Sequence, residues 1–498
     1  MRLPRVCIGV NPLEVGIAMR SSQSCTPAEC IPHQEVNFHP HSFADPDGRL
    51  FLLDGQLYRG IAAQSSSFFK QLFESGVLRG LIDRGLLIET ELTTITVEGY
   101  NMVLRHRYIP FPSYPNEWCP AMLKDAAAAM VALVVELEQH ELTLRDAHPW
   151  NLLFDSYKPL YVDVTSITPA VDSSTWPAYY EFCRFCLYPL ILMSAGHERI
   201  ARLLICEDGG VLGSDLTALA PQSAQLAPDR SLMNHLVPVV QKRLPHRYYS
   251  LFGRAWRLAS SLPPIQSHRR RSRLEFLKTI GREIESMTFA GPSGDCVDQD
   301  ANSSPAQSDS DRWTTKQHAI HNVLAELRPG TVLDIGSGTG WYSRLAAHMN
   351  CRVVSFDIDP LHVTQLYVDA RDKKLPILPL IMDFTKPTPA RGLANHWSIA
   401  ATERFRCDMV LALGLLHQIV FERHLNFDQI VDGLAQFAQR WLVVEFISRE
   451  DREVSGRLPG RFGWYTLENF TNALQKRFRR VNIVPSSPAP RVLLLCEK

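Results

Sequence analysis

From about residue 41 onward, apolar and polar positions fall into recognisable periods. Arg49–Leu53 and Gln56–Ile61 flank Asp54-Gly55. A two-residue Asp-Gly connection predicts a hairpin, because both central positions must take positive φ. Ser67–Ser75 then reads as a short helix stopped by Gly76. Leu86–Val97 and Asn101–Ile109 are β-rich and separated by Gly99, and a Pro-rich bend up to Pro115 leads into a long amphipathic helix at about Glu117–Gln139. The predicted order is β-β-α-β-β followed by a helix. From Trp176 to about Met287 the pattern is mostly helical.

Residues 288–312 change character. They are rich in Gly, Ser, Pro and Asp, carry almost nothing to bury, and read as a linker. Beyond them Ile320, Val323, Leu324 and Leu327 fall at helical spacing within Trp313–Arg328, and Pro329-Gly330 ends the run. Short apolar strands at 331–335, 352–358, 378–384, 408–416 and 441–447 then alternate with helices, which predicts a doubly wound parallel sheet. Val481–Ile483 and Arg491–Leu495 are expected to close it as an antiparallel pair. The fold class is therefore α/β: a Rossmann-like sheet over 313–498, preceded by an α+β domain over 41–287 and a loose extension over 1–40.

Composition narrows the classes. Apolar residues make up 45% of the 498, enough for packed cores. Lys plus Arg and Asp plus Glu are both 52, so no excess of positive charge points to nucleic acid, and none is expected as a partner. No apolar run reaches the length of a membrane span. Asn11, Pro12 and Glu14 interrupt the N-terminus where a signal peptide needs an unbroken apolar core, so a cytoplasmic protein is expected. Cys183 and Cys186 lie in an aromatic helical run without a second pair, and read as core thiols. Oligomeric state stays open.

The chemistry concentrates in Val332-Leu-Asp-Ile-Gly-Ser-Gly-Thr-Gly340, which joins a buried strand to a helix. Glycines are needed where the backbone turns sharply and a ligand approaches closely. Asp334 precedes them at the strand end, placed to hold an ammonium group. Asp357 ends the next strand, suited to ribose hydroxyls, and Asp383 follows the third, near an adenine amino group. This ordered set resembles the class I S-adenosylmethionine-dependent methyltransferases. The resemblance implies that Asp334, Gly336, Ser337, Gly338 and Gly340 surround the methionine part of S-adenosyl-L-methionine, with Asp357 on the ribose and Asp383 near the adenine. Catalytic candidates at the strand ends beside the cleft are His417 and Glu445. Trp341 and Tyr342 either floor the pocket or pack the first helix. A fragment over 313–498 is expected to bind the cofactor unaided.

A second motif lies upstream. Leu144-Arg-Asp-Ala-His-Pro-Trp-Asn151, followed by Tyr161-Val-Asp163, resembles the catalytic segment of protein kinases and aminoglycoside-type phosphotransferases. The resemblance implies a base at Asp146 and a magnesium site at Asn151 and Asp163, with ATP as ligand. Departures are visible: no Gly-rich phosphate loop precedes the hairpin, Val164-Thr165 replaces Phe-Gly, and Arg59 stands where a strand Lys is expected, with Glu74 as its prospective partner. The two halves together, with Ser113–Trp118 and the run from Pro387 to Glu403-Arg404, resemble a bacterial family of two-part methyltransferases that includes rhizobial host-specific nodulation proteins. The implied function is methyl transfer to a small-molecule, glycan or protein acceptor. The alternative is phosphotransfer or ATP binding upstream, with the methyltransferase-like half regulatory.

Overall fold

The computed structural model describes residues 30–39, 42, 45–170, 176–207, 209–222, 266–289, 307–455 and 462–498. Most of the expected extension, much of the linker and the 223–265 part of the helical stretch lie outside these residues.

The first sheet has the order β1-β2-β3-β5-β4, formed by β1 (Asn37–Phe38), β2 (Gly48–Leu53), β3 (Gln56–Ile61), β4 (Thr90–Leu92) and β5 (Met102–His106). Leu53 pairs with Gln56, and Asp54 and Gly55 take φ of 49° and 73°, the double positive φ that the Asp-Gly signal demands. Between β3 and β4 the chain makes two helices, Ala63–Glu74 and Val77–Asp83. The second was not expected. Gly76, at φ 76°, ends one helix and starts the next rather than leading to a strand. The long helix starts at Pro120, not Glu117, because Pro115–Glu117 forms a 3-10 turn first. Its buried face carries Met122, Leu123, Ala126, Met130, Leu133, Val134 and Leu137, and Gln266–Ser286 packs along it. Two short two-stranded antiparallel sheets follow, β6 (Leu142–Leu144) with β9 (Ile167–Pro169), and the hairpin β7 (Leu152–Asp155) with β8 (Lys158–Tyr161). Cys183 and Cys186 are free thiols buried in the core, as their apolar surroundings implied.

The second sheet has the order β12-β11-β10-β13-β14-β16-β15. Its strands are β10 (Thr331–Ile335), β11 (Arg352–Asp357), β12 (Ile377–Ile381), β13 (Cys407–Ala412), β14 (Ala438–Phe446), β15 (Arg480–Val484) and β16 (Val492–Glu497). The first five run parallel and β16 pairs antiparallel with both β14 and β15. The chain leaves β10 towards β11 on one side and later returns to β13 on the other. Loops at the carboxyl end of β10 therefore diverge, which opens a crevice there.

The two sheets are joined by buried polar contacts. Arg404 and Glu117 are fully buried, with Nη1 donating to Glu117 Oε2 at 3.0 Å and to the Pro112 carbonyl at 2.7 Å. Trp397 stacks on Trp150 at 4.8 Å, and the Ile399 amide donates to the Tyr114 hydroxyl at 2.9 Å. Tyr367 and Arg371 both reach Asp125, at 2.8 and 3.0 Å. Among the described residues, no helix is long and apolar enough to cross a membrane.

Candidate functional site

The loop after β10 is shaped by its own hydrogen bonds. Gly336, Gly338 and Gly340 all take positive φ. The Gly336 and Ser337 amides donate to the Phe356 carbonyl at 2.8 and 3.0 Å, and the Gly338 amide donates to Asp357 Oδ2 at 2.8 Å. A side chain at Gly340 would place its Cβ 2.5 Å from Leu366, so this glycine lets the helix Trp341–His348 lie against the helix Pro360–Lys373.

Two cavities meet at this loop. The first, of about 340 Å³, is lined by Gly336, Gly338, Asp357, Ile358, Asp383 and Phe384 among others. Asp357 is held by the Gly338 amide and by the Asp359 amide at 2.8 Å. Asp383 accepts from the Thr385 amide and hydroxyl at 2.8 and 2.7 Å, and Arg423 donates to its second oxygen at 3.3 Å. Ile358 is 63% exposed at the rim, an apolar plate beside two carboxylates. The second cavity, of about 510 Å³, shares Gly336, Gly338, Leu413 and Gly414 with the first and adds Asp334, Lys316, Tyr342, Glu453 and Arg491.

Asp334 is buried and accepts from Ser343 Oγ at 2.6 Å, with Ser343 bonded in turn to Ser355 at 2.7 Å. Burial raises its pKa to about 6, against the lowering effect of the Ser343 bond. An ammonium group beside it would restore the charged form. The structure thus brings Asp334, Gly336, Ser337, Gly338, Asp357 and Asp383 together around two connected cavities. Gly340 lines neither, and serves helix packing. Trp341 and Tyr342 open the helix Trp341–His348, line the second cavity and are nearly buried.

His417 and Glu445 line neither cavity. Each stands one side chain behind a residue that does. Glu445 Oε2 accepts from Lys316 Nζ at 3.1 Å, and His417 Nε2 lies 3.4 Å from Glu453 Oε2. Lys316, Glu453 and Arg491 carry no local sequence signal. They come from a helix start, a four-residue helix and a strand start that only the sheet order brings together.

Upstream, Asn151 and Asp163 are fully buried. Asp163 Oδ1 accepts from Arg59 Nη1 at 3.2 Å and from Thr165 Oγ1 at 2.6 Å, while Arg59 also reaches Asp45 at 2.7 Å. The expected Arg59–Glu74 pair is therefore wrong. Arg59 lies inside the sheet with its charge directed at Asp163 and Asp45, and Glu74 instead sits 4.0 Å from Lys70 on the surface. Asp146 Oδ1 accepts from the His148 amide at 2.9 Å, a local turn brace. Among the described residues, no group of three or more His, Cys, Asp or Glu side chains is arranged to hold a metal.

Comparison with known proteins adds one long match. The nodulation protein NoeA of Rhizobium meliloti (strain 1021) is 27% identical over 463 residues, which cover 90% of this chain and 93% of NoeA. The chain resembles NoeA along nearly its whole length. No family model matches. Among solved structures, magnesium protoporphyrin IX methyltransferase from Synechocystis PCC 6803 with bound SAM aligns over 36% of this chain and 78% of that one, at 17% identity and a TM-score of 0.27. The bifunctional kinase-methyltransferase WbdD aligns over 36% of this chain and 37% of its own, at 16% identity and the same score.

Proposed function

We propose that residues 313–498 transfer a methyl group from S-adenosyl-L-methionine to a small-molecule or glycan acceptor. One observation carries this: three carboxylates from three successive strand ends, Asp334, Asp357 and Asp383, line two cavities that share the wall Gly336 and Gly338. Asp334 would hold the cofactor ammonium, Asp357 the ribose hydroxyls, and Asp383 with Phe384 and Ile358 the adenine side. When bound, the cofactor supplies an activated methyl group on sulfonium. The chain's own residues supply alignment and a carboxylate-rich surrounding for that positive charge. The acidic side chains are held by backbone amides and by Ser343, so they need no reorganisation when a ligand arrives.

Pro112, Tyr114, Glu117 and Trp150 then brace the loop from Asp383 to Arg404, which runs from the adenine side of the first cavity into the Arg404–Glu117 contact. The likeness to NoeA supports a role in host-specific nodulation, through modification of a signal or surface glycan. The test is calorimetric binding of S-adenosylhomocysteine to the full chain. Binding is expected for wild type and should be lost in Asp334→Ala and in Asp357→Ala. Undiminished binding in both variants would remove the site.

A further inference from the structure

The second cavity reaches past the position proposed for the cofactor's methionine end, and its far wall is built from charged groups that are already paired. Arg491, nearly buried, donates to Asp451 Oδ2 at 2.9 Å and to Glu453 Oε1 at 2.8 Å. Lys316, nearly buried, donates to the fully buried Glu445 at 3.1 Å. Two cations are thus matched by four carboxylates, Asp334, Glu445, Asp451 and Glu453, in and immediately behind one cavity. Among the described residues, an anionic acceptor entering here would meet no uncommitted cation and a surplus of negative charge, which repels at short range in a low-dielectric site. A protonated amine would be drawn by that surplus, but its nitrogen lone pair holds the proton and cannot attack the methyl carbon. A neutral polar molecule is opposed by neither sign, and Thr314, Ser487 and Tyr342 on the same walls supply hydroxyl groups for it.

Beyond Asp334, proposed above for the cofactor, Glu453 is the carboxylate among the described residues that lines this space. It lines the cavity with its side chain 39% exposed, while Glu445 and Asp451 are buried behind their cations. One oxygen is fixed by Arg491 and the other lies 3.4 Å from His417 Nε2. The carboxylate is therefore oriented from two sides, as a base must be to meet a proton at a set place.

We infer that the acceptor is an uncharged, hydroxyl-bearing molecule, and that Glu453 is the group that takes its proton, with Arg491 and His417 as positioning residues. This rests on the methyl-transfer reading above. In the step, the acceptor oxygen forms a bond to the methyl carbon and the methyl–sulfur bond breaks. Its electron pair stays on sulfur as a neutral thioether, and the hydroxyl proton passes to the Glu453 carboxylate.

The test uses the full chain with methyl-labelled S-adenosylmethionine and an extract from a deletion strain, separated by anion exchange into neutral and anionic fractions. Label is expected in the neutral fraction as an alkali-stable ether. Glu453→Gln should lower that turnover by about a hundred-fold or more while S-adenosylhomocysteine binding stays at the wild-type level. Arg491→Gln should lower turnover less and shift its pH profile. As a readout independent of turnover, millimolar inorganic phosphate should leave the melting midpoint of the S-adenosylhomocysteine complex unmoved. Label in a phosphate or carboxylate ester, label on an amine, a phosphate-dependent rise in midpoint that Arg491→Gln abolishes, or full turnover in Glu453→Gln would each overturn the inference. Binding of S-adenosylhomocysteine with no labelled neutral product would overturn it too. Failure of the wild type to bind S-adenosylhomocysteine at all would instead remove the methyl-transfer reading.

Discussion

Replacing Asp334 by Asn should make this protein more stable at neutral pH and worse at binding its cofactor. The carboxyl is buried, and its pKa stands at about 6 against an ordinary 3.8, chiefly through desolvation. Two units correspond to about 3 kcal/mol. The sign follows from linkage. Because the folded state holds the proton more tightly than the unfolded chain, stability falls as pH rises from about 4 to about 6, and the full penalty persists above that. Below pH 4 it is absent. An amide keeps an oxygen for the Ser343 hydroxyl but never ionises. The variant should therefore gain up to about 3 kcal/mol at pH 7 and almost nothing near pH 4. With roughly 2 cal/mol/K of unfolding entropy per residue, a chain of this length melting as one unit would rise by about 3 °C. The assay is scanning calorimetry of both proteins from pH 4.5 to 8, with and without S-adenosylhomocysteine. In wild type, affinity should drop about tenfold per pH unit below pH 6, as Asp334 protonates and loses its attraction for the ammonium group. In Asp334→Asn it should be weak throughout and insensitive to pH over this range. A variant less stable than wild type at pH 7, or a stability difference that does not shrink towards pH 4.5, would refute the reasoning.

Further outcomes are expected. Gly340→Ala puts a Cβ 2.5 Å from Leu366 at φ 81°, so denaturant melts should show a loss of about 1–3 kcal/mol, while the folded fraction keeps wild-type affinity for S-adenosylhomocysteine. Glu117→Ala leaves the fully buried Arg404 guanidinium without its carboxylate, for a loss of about 3–5 kcal/mol. The isolated 313–498 fragment, expected from the sequence to bind the cofactor unaided, loses the buried partners of Arg404, Trp397 and Tyr367 and should instead bind more weakly than the full chain in calorimetry. Arg59→Met should be destabilising by a similar amount, because Asp45 and Asp163 then face each other without a cation, and Asp163→Asn in the same chain should recover part of it. In the wild type, magnesium with ATP should leave the melting midpoint unchanged, since Arg59 and Thr165 already occupy Asp163 Oδ1.

What could be read along the chain is what depends on residues close together in it. Asp54-Gly55 dictates its hairpin locally, and Asp334, Asp357 and Asp383 each announce themselves at the end of an apolar run. The helix Val77–Asp83 was lost because Gly76 and Gly80 weaken its local signal, and its stability comes from burying Leu78 and Leu81 instead. Arg59 shows a different limit. Its place between Leu57 and Ile61, two apolar residues of the same strand face, makes it an inward-facing cation, and a buried cation must find carboxylates, but the pattern cannot say that they lie 14 residues before and 104 residues after it.

The proposed acceptor side of the site was hidden for the same reason, and the sheet order explains how it assembles. Inserting β16 between β14 and β15 pairs Phe446 with Val492 and Glu445 with Leu493. That register brings Arg491, one residue before β16, to the carboxyl end of β14, where the chain turns towards Asp451 and Glu453. The parallel strands supply the three carboxylates proposed for the cofactor, each at or just past its own carboxyl end. The antiparallel closure is what delivers a cation to the same edge, and with it the orientation of Glu453. A change that shifted β16 by two residues against β14 would preserve its buried face but withdraw Arg491 from both acids. Cofactor binding should survive such a shift while turnover of the acceptor should not, which separates the two halves of the site by experiment.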